Sequence, residues 1–291
     1  MPRVSIGLTV FNGERHLEEC LQSLLDQTFE DFELIISDNA SSDRTREIAL
    51  AYVAKDDRVR YVRNRVNIGV AGNFNQSFRL SSGEFFKWAA YDDLCSRDFL
   101  LRCVEVLDRD PGVVLAYPRT VVIDEEGRVT APERRGSAPD LTSPEPAIRF
   151  SRIMRAPFWG TSLFGVIRAD VLRLTGLMPS NIAPDHVLLA ELSLHGRFQL
   201  IPENGLFNRD HPGRWYVKSS IVRRAEQVDP QLGKSPFLLR LRLFQSYLSA
   251  IGRVPLDEPS RLRCYLALGR WVADRVAARA LSPDPRFGRG T

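Results

Sequence analysis

The stretch EFFKWAAYDDLC, residues 84–95, starts as a strand and stops on two adjacent carboxylates, Asp92 and Asp93. Phe85, Phe86, Trp88, Ala89 and Ala90 form a short apolar run, the pattern of a strand covered on both faces. Like charges side by side at the end of such a strand raise each other's pKa unless something positive stands beside them. One reading is a turn leading into a helix capped at Ser96. A cap needs one carboxylate, however, and two are present. The other reading is a divalent cation, since Mg²⁺ or Mn²⁺ is held by one or two carboxylates together with substrate phosphates.

Outward from this stretch, strands and helices alternate. On the N-terminal side, Val4, Ile6, Leu8 and Val10 alternate with smaller or more polar residues, a first strand. Leu17, Cys20, Leu21, Leu24 and Leu25 recur at helical spacing. FELIISDN is a second strand, SSDRTREIALAYVA a helix opened by Ser and Asp, VRYVRN a third strand, and GVAGNFNQSFRLSSG a helix ending at Gly83. On the C-terminal side follow a helix, SRDFLLRCVEVLDRDPG, and a fifth strand, VVLAYP. This alternation predicts an α/β fold with a mixed, mostly parallel sheet flanked by helices. Beyond Pro118 the style changes. TVVIDEEGRVT reads as a hairpin and APERRGSAPDLTSPEP as a loop. GTSLFGVIRADVLRLTG reads as a strand and short helix, PDHVLLAELSLHG as a helix and RFQLIPENGLFNRDH as a strand. From about Ser220 the chain reads as helical.

In an open α/β sheet, ligands bind outside the carboxyl ends of the strands. The first four strands end in TVFNGE, SDNASSD, NRVNIG and AAYDD. Each alone is ordinary turn and cap chemistry. Together they put Asn, Asp and Gly on one edge of one sheet. There is no GxxxxGK[ST] loop, and FNGERH rather than GxGxxG follows the first strand. A P-loop enzyme or a standard dinucleotide dehydrogenase is therefore not expected.

The 291 residues suit one large domain, or a domain with a helical extension. Apolar content of 44% and charged content of 26% are those of a globular chain. A net charge of +4 is too small to argue for nucleic acid. The four cysteines form no CxxC pair, and we expect reduced, mostly buried thiols of a cytoplasmic protein. The N-terminus enters a strand pattern at once, which predicts no signal peptide. No apolar run approaches the ~18 residues of a membrane span.

VSIGLTVFNGERHLEECLQSLLDQTFEDFELIISDNASSDRT closely resembles the N-terminus of inverting glycosyltransferases of family 2, which have the GT-A fold. The shared pattern is T-x-[YF]-N, a helix ending L-x-S-[LIV]-x-x-Q-T, and a strand ending V-D-[ND]-x-S-x-D-x-T. Thr9, Phe11, Asn12, Asp38, Ser41, Asp43 and Thr45 match it. NIGVAGNFNQSFRLSSGEFFKWAAYDD resembles the next block of the family. The resemblance is strong over about the first 110 residues, weaker from Asp185 to His211, and absent from the last 70 or so. It implies a Rossmann-like, nucleotide-diphospho-sugar transferase domain over 1–218. The nucleotide-binding half would be 1–118, the acceptor and catalytic-base half 119–218, and a helical extension 219–291.

The resemblance also implies roles. Phe11 and Glu14 would line the nucleoside pocket, with the Thr9 backbone near the base and Asn12 in the same motif. Asp38 would hold uracil or ribose, and Asn67 and Asn73 would lie beside base and diphosphate. Asp92 and Asp93 match the metal-binding acidic motif, Asp93 as the direct ligand. Many relatives carry Asp-x-Asp, whereas Ala90 and Tyr91 precede the pair here. His211 would be a third ligand of Mg²⁺ or Mn²⁺, with Arg209 and Arg214 near phosphate. Asp185 would be the general base, with Glu191 in reserve; the residue also suits the first turn of a helix after Pro184. His186 and His195 are expected on a helix surface or in packing.

The expected reaction moves a sugar from a UDP- or dTDP-sugar to an acceptor hydroxyl, on a saccharide, a lipid-linked molecule or a small molecule. A sugar-nucleotide pyrophosphorylase would want a Gly-rich, Arg/Lys-bearing loop after the first strand, which FNGERH is not. A non-catalytic nucleotide-sugar binding protein is compatible with the missing upstream Asp. LLRLRLFQSYL and ALGRWVADRVAARAL set Arg beside apolar residues near the C-terminus. Such helices dock peripherally on anionic membranes or pack on the domain or a second subunit. Packing is the reading we expect.

Overall fold

A computed structural model of the chain describes residues 1–132, 139–156, 160–211, 221–229, 231–233 and 235–281. Its centre is a nine-stranded sheet in the order β3-β2-β1-β4-β8-β6-β9-β5, with β7 paired to β6. The strands are β1 (Val4–Val10), β2 (Phe32–Asp38), β3 (Val59–Arg63), β4 (Phe85–Ala90), β5 (Leu94–Cys95), β6 (Val113–Ile123), β7 (Val129–Pro132), β8 (Val166–Arg168) and β9 (Arg197–Arg209). Strands β1, β2, β3, β4, β6 and β9 share one direction, and β5, β7 and β8 run against it.

Helices cover both faces because side chains alternate along each strand. Val4, Ile6, Leu8 and Val10 of β1 point into a core shared with α1 (Leu17–Leu25), α2 (Thr45–Val53) and α4 (Phe99–Arg109). Phe86 and Trp88 of β4 point to the other face. There they meet α3 (Gly69–Arg79), α5 (Pro146–Arg155), α6 (Ala169–Arg173) and α7 (Pro184–His195). The last three helices, α8 (Ile221–Val228), α9 (Pro236–Arg253) and α10 (Glu258–Leu281), add Val228, Leu239, Tyr247, Ile251 and Leu268 to this second core. The C-terminal helices thus pack on the domain, as expected. The boundary placed after residue 218 lies outside the described residues.

The parallel register levels the strand ends. Val10 stands opposite Asp38, Thr9 opposite Ala90, and Asp38 opposite Arg63. The loops after β1, β2, β3 and β4 therefore leave the sheet along one rim.

Several elements differ from the sequence reading. VVLAYP and the first arm of the expected hairpin are one continuous strand, β6, because Arg119 and Thr120 pass through irregular pairing with β9 without breaking it. Helix α3 ends at Arg79 rather than Gly83. Helix α5 and the two-residue β5 were not anticipated. Ser96 does not cap α4: that position is held by Asp98, whose Oδ1 accepts the Ser96 hydroxyl at 2.8 Å. The expected loop of residues 131–146 lies partly outside the described residues. All four cysteines are free thiols, with Cys20, Cys103 and Cys264 buried. Among the described residues, no helix is long and apolar enough to cross a membrane.

Candidate active site

A cleft of about 500 Å³ opens on this rim. Thr9 near the end of β1 and Phe11 just after it, Asn39 after β2, Asn67 before α3 and Asn73 within it, and Asp92 and Asp93 after β4 all line it. Asn208 of β9 and Glu226 and Gln227 of α8 contribute from the far side.

The floor is an amide network. Asn39 Nδ2 donates to Asn67 Oδ1 at 2.9 Å, and Asn39 Oδ1 accepts the Ile68 N–H. Asn64 bridges to Asn39 and Asn73, and Asn73 ties back to the Ser37 hydroxyl and carbonyl. Such an interlinked network holds its shape before any ligand arrives. Gly69 stands at φ +77°, a conformation that favours glycine. A Cβ there would lie 2.3 Å from the Val228 carbonyl oxygen, so only glycine lets α8 close against α3.

The acidic pair divides. Asp93 is buried; Asn208 Nδ2 donates to both its oxygens at 3.0 Å, and the Arg209 N–H donates to Oδ1 at 3.0 Å. Asp92 Oδ2 lies 2.9 Å from His211 Nε2, and Asp92 Oδ1 has no partner among the described residues. The imidazole of His16 stacks at a tilt on that of His211, with 5.1 Å between ring centroids. Burial first, then the Arg209 charge, lowers the His16 pKa. Tyr91 leans over Gly13, where a Cβ would meet its ring at 2.7 Å. Burial, and secondarily the Asp92 charge, pushes its phenol up to about 12, so it stays protonated.

Some expected residues lie elsewhere. Asp38 is fully buried behind the cleft. Its Oδ1 accepts the Ser41 N–H at 2.8 Å and its Oδ2 the Tyr61 hydroxyl at 2.6 Å, so both oxygens are engaged within the fold. Asn12, at φ +51°, shapes the turn after β1; its Oδ1 accepts the Ser42 N–H. Glu14 faces outward and accepts the Arg44 N–H at the start of α2. Asp185, in the first turn of α7, does not line the cleft; its Oδ1 accepts the adjoining His186 N–H. Glu191 is buried and held by Arg253. Arg209 is not available to phosphate. Its guanidinium is fully buried, donating to the carbonyls of Asp92, Asp124 and Glu125 and to Glu19 Oε2 at 2.6 Å. Arg214 lies outside the described residues. Sequence reasoning missed Asn39, Tyr91, Asn208, Glu226 and Gln227. Asn39 was within reach, one residue past Asp38.

The family model described as Glycosyl transferase family 2 matches residues 5–167, more than half of the chain. The chain belongs to glycosyl transferase family 2. EpsE of Bacillus subtilis (strain 168), a protein that carries a glycosyltransferase name, is 31% identical over 148 residues, which are 50% of this chain and 51% of EpsE. Chondroitin synthase of Escherichia coli is 30% identical over 129 residues, 44% of this chain and 19% of that one. The match thus spans about half of EpsE and a fifth of the synthase. Among solved structures, S. aureus TarS 1-349 in complex with UDP superposes with a TM-score of 0.62 at 16% identity, over 93% of this chain and 70% of that chain. The mannosyltransferase PcManGT from Pyrobaculum calidifontis, in complex with GDP-Man and Mn²⁺, gives 0.53 at 18% identity, over 98% and 77%. The family 2 chain therefore has the GT-A fold that the sequence resemblance implied.

The residues at the acidic corner suit a hard divalent ion. Asp92 offers an unpartnered carboxylate oxygen beside an imidazole, and the cleft leaves room for phosphate oxygens to complete the shell. No cluster of three His, Cys, Asp or Glu ligands forms among the described residues, so substrate oxygens would have to supply the rest.

Proposed function

We propose that this chain transfers a sugar, with inversion, from a nucleotide-diphosphate donor to an acceptor hydroxyl. The observation that carries the reading is the acidic corner at the level strand ends, opening onto a cleft floored by preorganised amides. TarS was solved with UDP and with UDP-GlcNAc, which supports a UDP- or dTDP-sugar as donor. The base lies against Phe11, which is 43% exposed beside the cleft, and near Asn39 and Asn67. Asp38 supports this floor indirectly, by fixing the Ser41 turn and Tyr61.

Asp92 and His211 would hold Mg²⁺ or Mn²⁺, with Asp93 fixing the turn behind them. Such an ion would supply Lewis-acid neutralisation of the diphosphate charge. Tyr91, kept neutral, closes the corner without adding negative charge. The acceptor hydroxyl loses its proton as the new bond forms, and a carboxylate within reach takes it. Asp185, in the first turn of α7, is the base the family resemblance implies. Glu226 is the second reading, favoured by its place on the far wall of the cleft.

The test begins with thermal unfolding of the protein with UDP, dTDP and GDP, with and without Mn²⁺. We expect a Mn²⁺-dependent rise with UDP or dTDP; no rise with any nucleotide rejects the reading. Asp185→Asn should keep that rise and lose at least about 100-fold in transfer. Full transfer by Asp185→Asn, with loss in Glu226→Gln, moves the base to Glu226.

A further inference from the structure

Helices α5 and α10 pack against each other on the second core and leave a groove of about 320 Å³ between them, away from the cleft. Its lining carries four arginines, Arg152 and Arg155 of α5 and Arg263 and Arg270 of α10, and no acidic side chain. Arg152 pairs with Asp140, and Arg263 reaches Glu145 at 3.5 Å. Arg155 and Arg270 have no partner among the described residues. Asp274, one turn beyond Arg270 in the adjoining hollow, forms no ion pair with it.

The same groove exposes apolar side chains. Ile148 is 40% exposed and Leu266 is 53% exposed, and both line it. Leu262, one turn before Leu266 on α10, is 60% exposed. The inward side of α10 is already used, since Cys264 and Leu268 are buried in the core. These leucines therefore form a second apolar stripe that the fold does not cover. Arginines flanking exposed leucines meet two demands at once: the guanidinium binds phosphate in a planar fork, and the apolar side chains enter an acyl boundary.

We infer that the α5–α10 groove docks the protein on the surface of an anionic phospholipid bilayer, with Arg155 and Arg270 on lipid phosphates and Leu262, Leu266 and Ile148 in the interface. A protein partner would want acidic side chains matched to these arginines, whereas a bilayer supplies phosphate at every point and needs no matched shape. The inference does not rest on sugar transfer, because docking is read without donor or acceptor.

The test is co-sedimentation of the full chain with vesicles of phosphatidylcholine, with and without phosphatidylglycerol. Binding should require phosphatidylglycerol. It should fall sharply between about 0.1 M and about 1 M salt, as the screening length drops from about 10 Å to about 3 Å. Each arginine near such a surface strengthens binding about fivefold, so Arg155→Gln with Arg270→Gln should weaken it about 25-fold. Leu262→Ser with Leu266→Ser should weaken it without removing the salt dependence. Thermal unfolding without ligand checks that each variant is folded. Equal binding by the glutamine variant, binding to phosphatidylcholine alone, or no binding at all overturns the inference. So does stabilisation by inorganic phosphate without vesicle binding, which would make the groove an ion site. A dimer by light scattering that dissociates in the leucine variant, again without vesicle binding, would make it a protein interface.

Discussion

Asp92 and Asp93 are neighbours in the chain and opposites in environment. Asp93 is consumed by the Asn208 amide and the Arg209 N–H, while Asp92 keeps one oxygen open. Asp92→Asn should leave the unfolding midpoint unchanged and weaken Mn²⁺-dependent nucleotide binding at least about tenfold by calorimetry. Asp93→Asn should instead cost about 1–3 kcal/mol in denaturant unfolding, since a neutral amide cannot accept both buried donors as well. Gly69→Ala forces a strained φ and a clash with the Val228 carbonyl. We expect a loss of about 1–2 kcal/mol and altered nucleotide affinity as Glu226 and Gln227 shift. At this scale, the gathering of Thr9, Phe11, Asn67, Asn73 and the acidic pair at one cleft was legible because strand ends in such a sheet converge; which carboxylate stays open was not, since Asp93, the expected direct ligand, is the one held by Asn208 and Arg209. Asp38 is buried while Asn39 lines the cleft because successive side chains at a strand end turn opposite ways. Composition does not say whether Asp38 or Asn39 faces the ligand.

At the scale of elements, the contact between α7 and α9 holds the C-terminal helices in place. Glu191 is fully buried on α7, and Arg253 at the end of α9 donates to both its oxygens at 2.6 and 2.8 Å. Arg253→Met strands that carboxylate. Because the guanidinium is partly exposed, we expect about 2–3 kcal/mol of destabilisation, at the low end for such a pair. Two turns earlier on α9, Tyr247 Oη lies 2.7 Å from His186 Nδ1. Burial pulls the His186 pKa down to about 4, against about 6.5 for an unperturbed histidine. Between those values the unfolded chain binds the extra proton, so stability is full above about pH 6.5 and falls as pH drops toward 4. His186 should contribute a loss of about 2 kcal/mol to unfolding followed from pH 7 to pH 5, and His186→Gln should remove that share while the part owed to His16 and His195, whose pKa values burial also lowers, remains. Helix α7 was legible because Pro184 opens a run in which Val187, Leu188, Leu189, Ala190, Leu192 and Leu194 are apolar, the mark of a helix buried over most of its surface. The two-residue β5 was not, since nothing so short carries a period. The length of β6 was hidden by Pro118 and Arg119, which the strand accommodates by irregular pairing rather than by stopping.

At the scale of the molecule, one sheet joins two cores, and the site needs both. The amide floor belongs to β1, β2 and α3, near the start of the chain. The donors that grip Asp93 belong to β9, whose Asn208 and Arg209 are more than a hundred residues later. The family match over residues 5–167 covers the first part and stops short of the second. That split is why the resemblance faded where His211 lies. It also has a consequence during synthesis on the ribosome, where N-terminal parts of a chain fold first. A nascent polypeptide can assemble β1 to β4 and their helices early. Its acidic corner stays unfastened until β9 emerges and threads between β6 and β5, so unfinished chains carry the pocket floor but not the clasp.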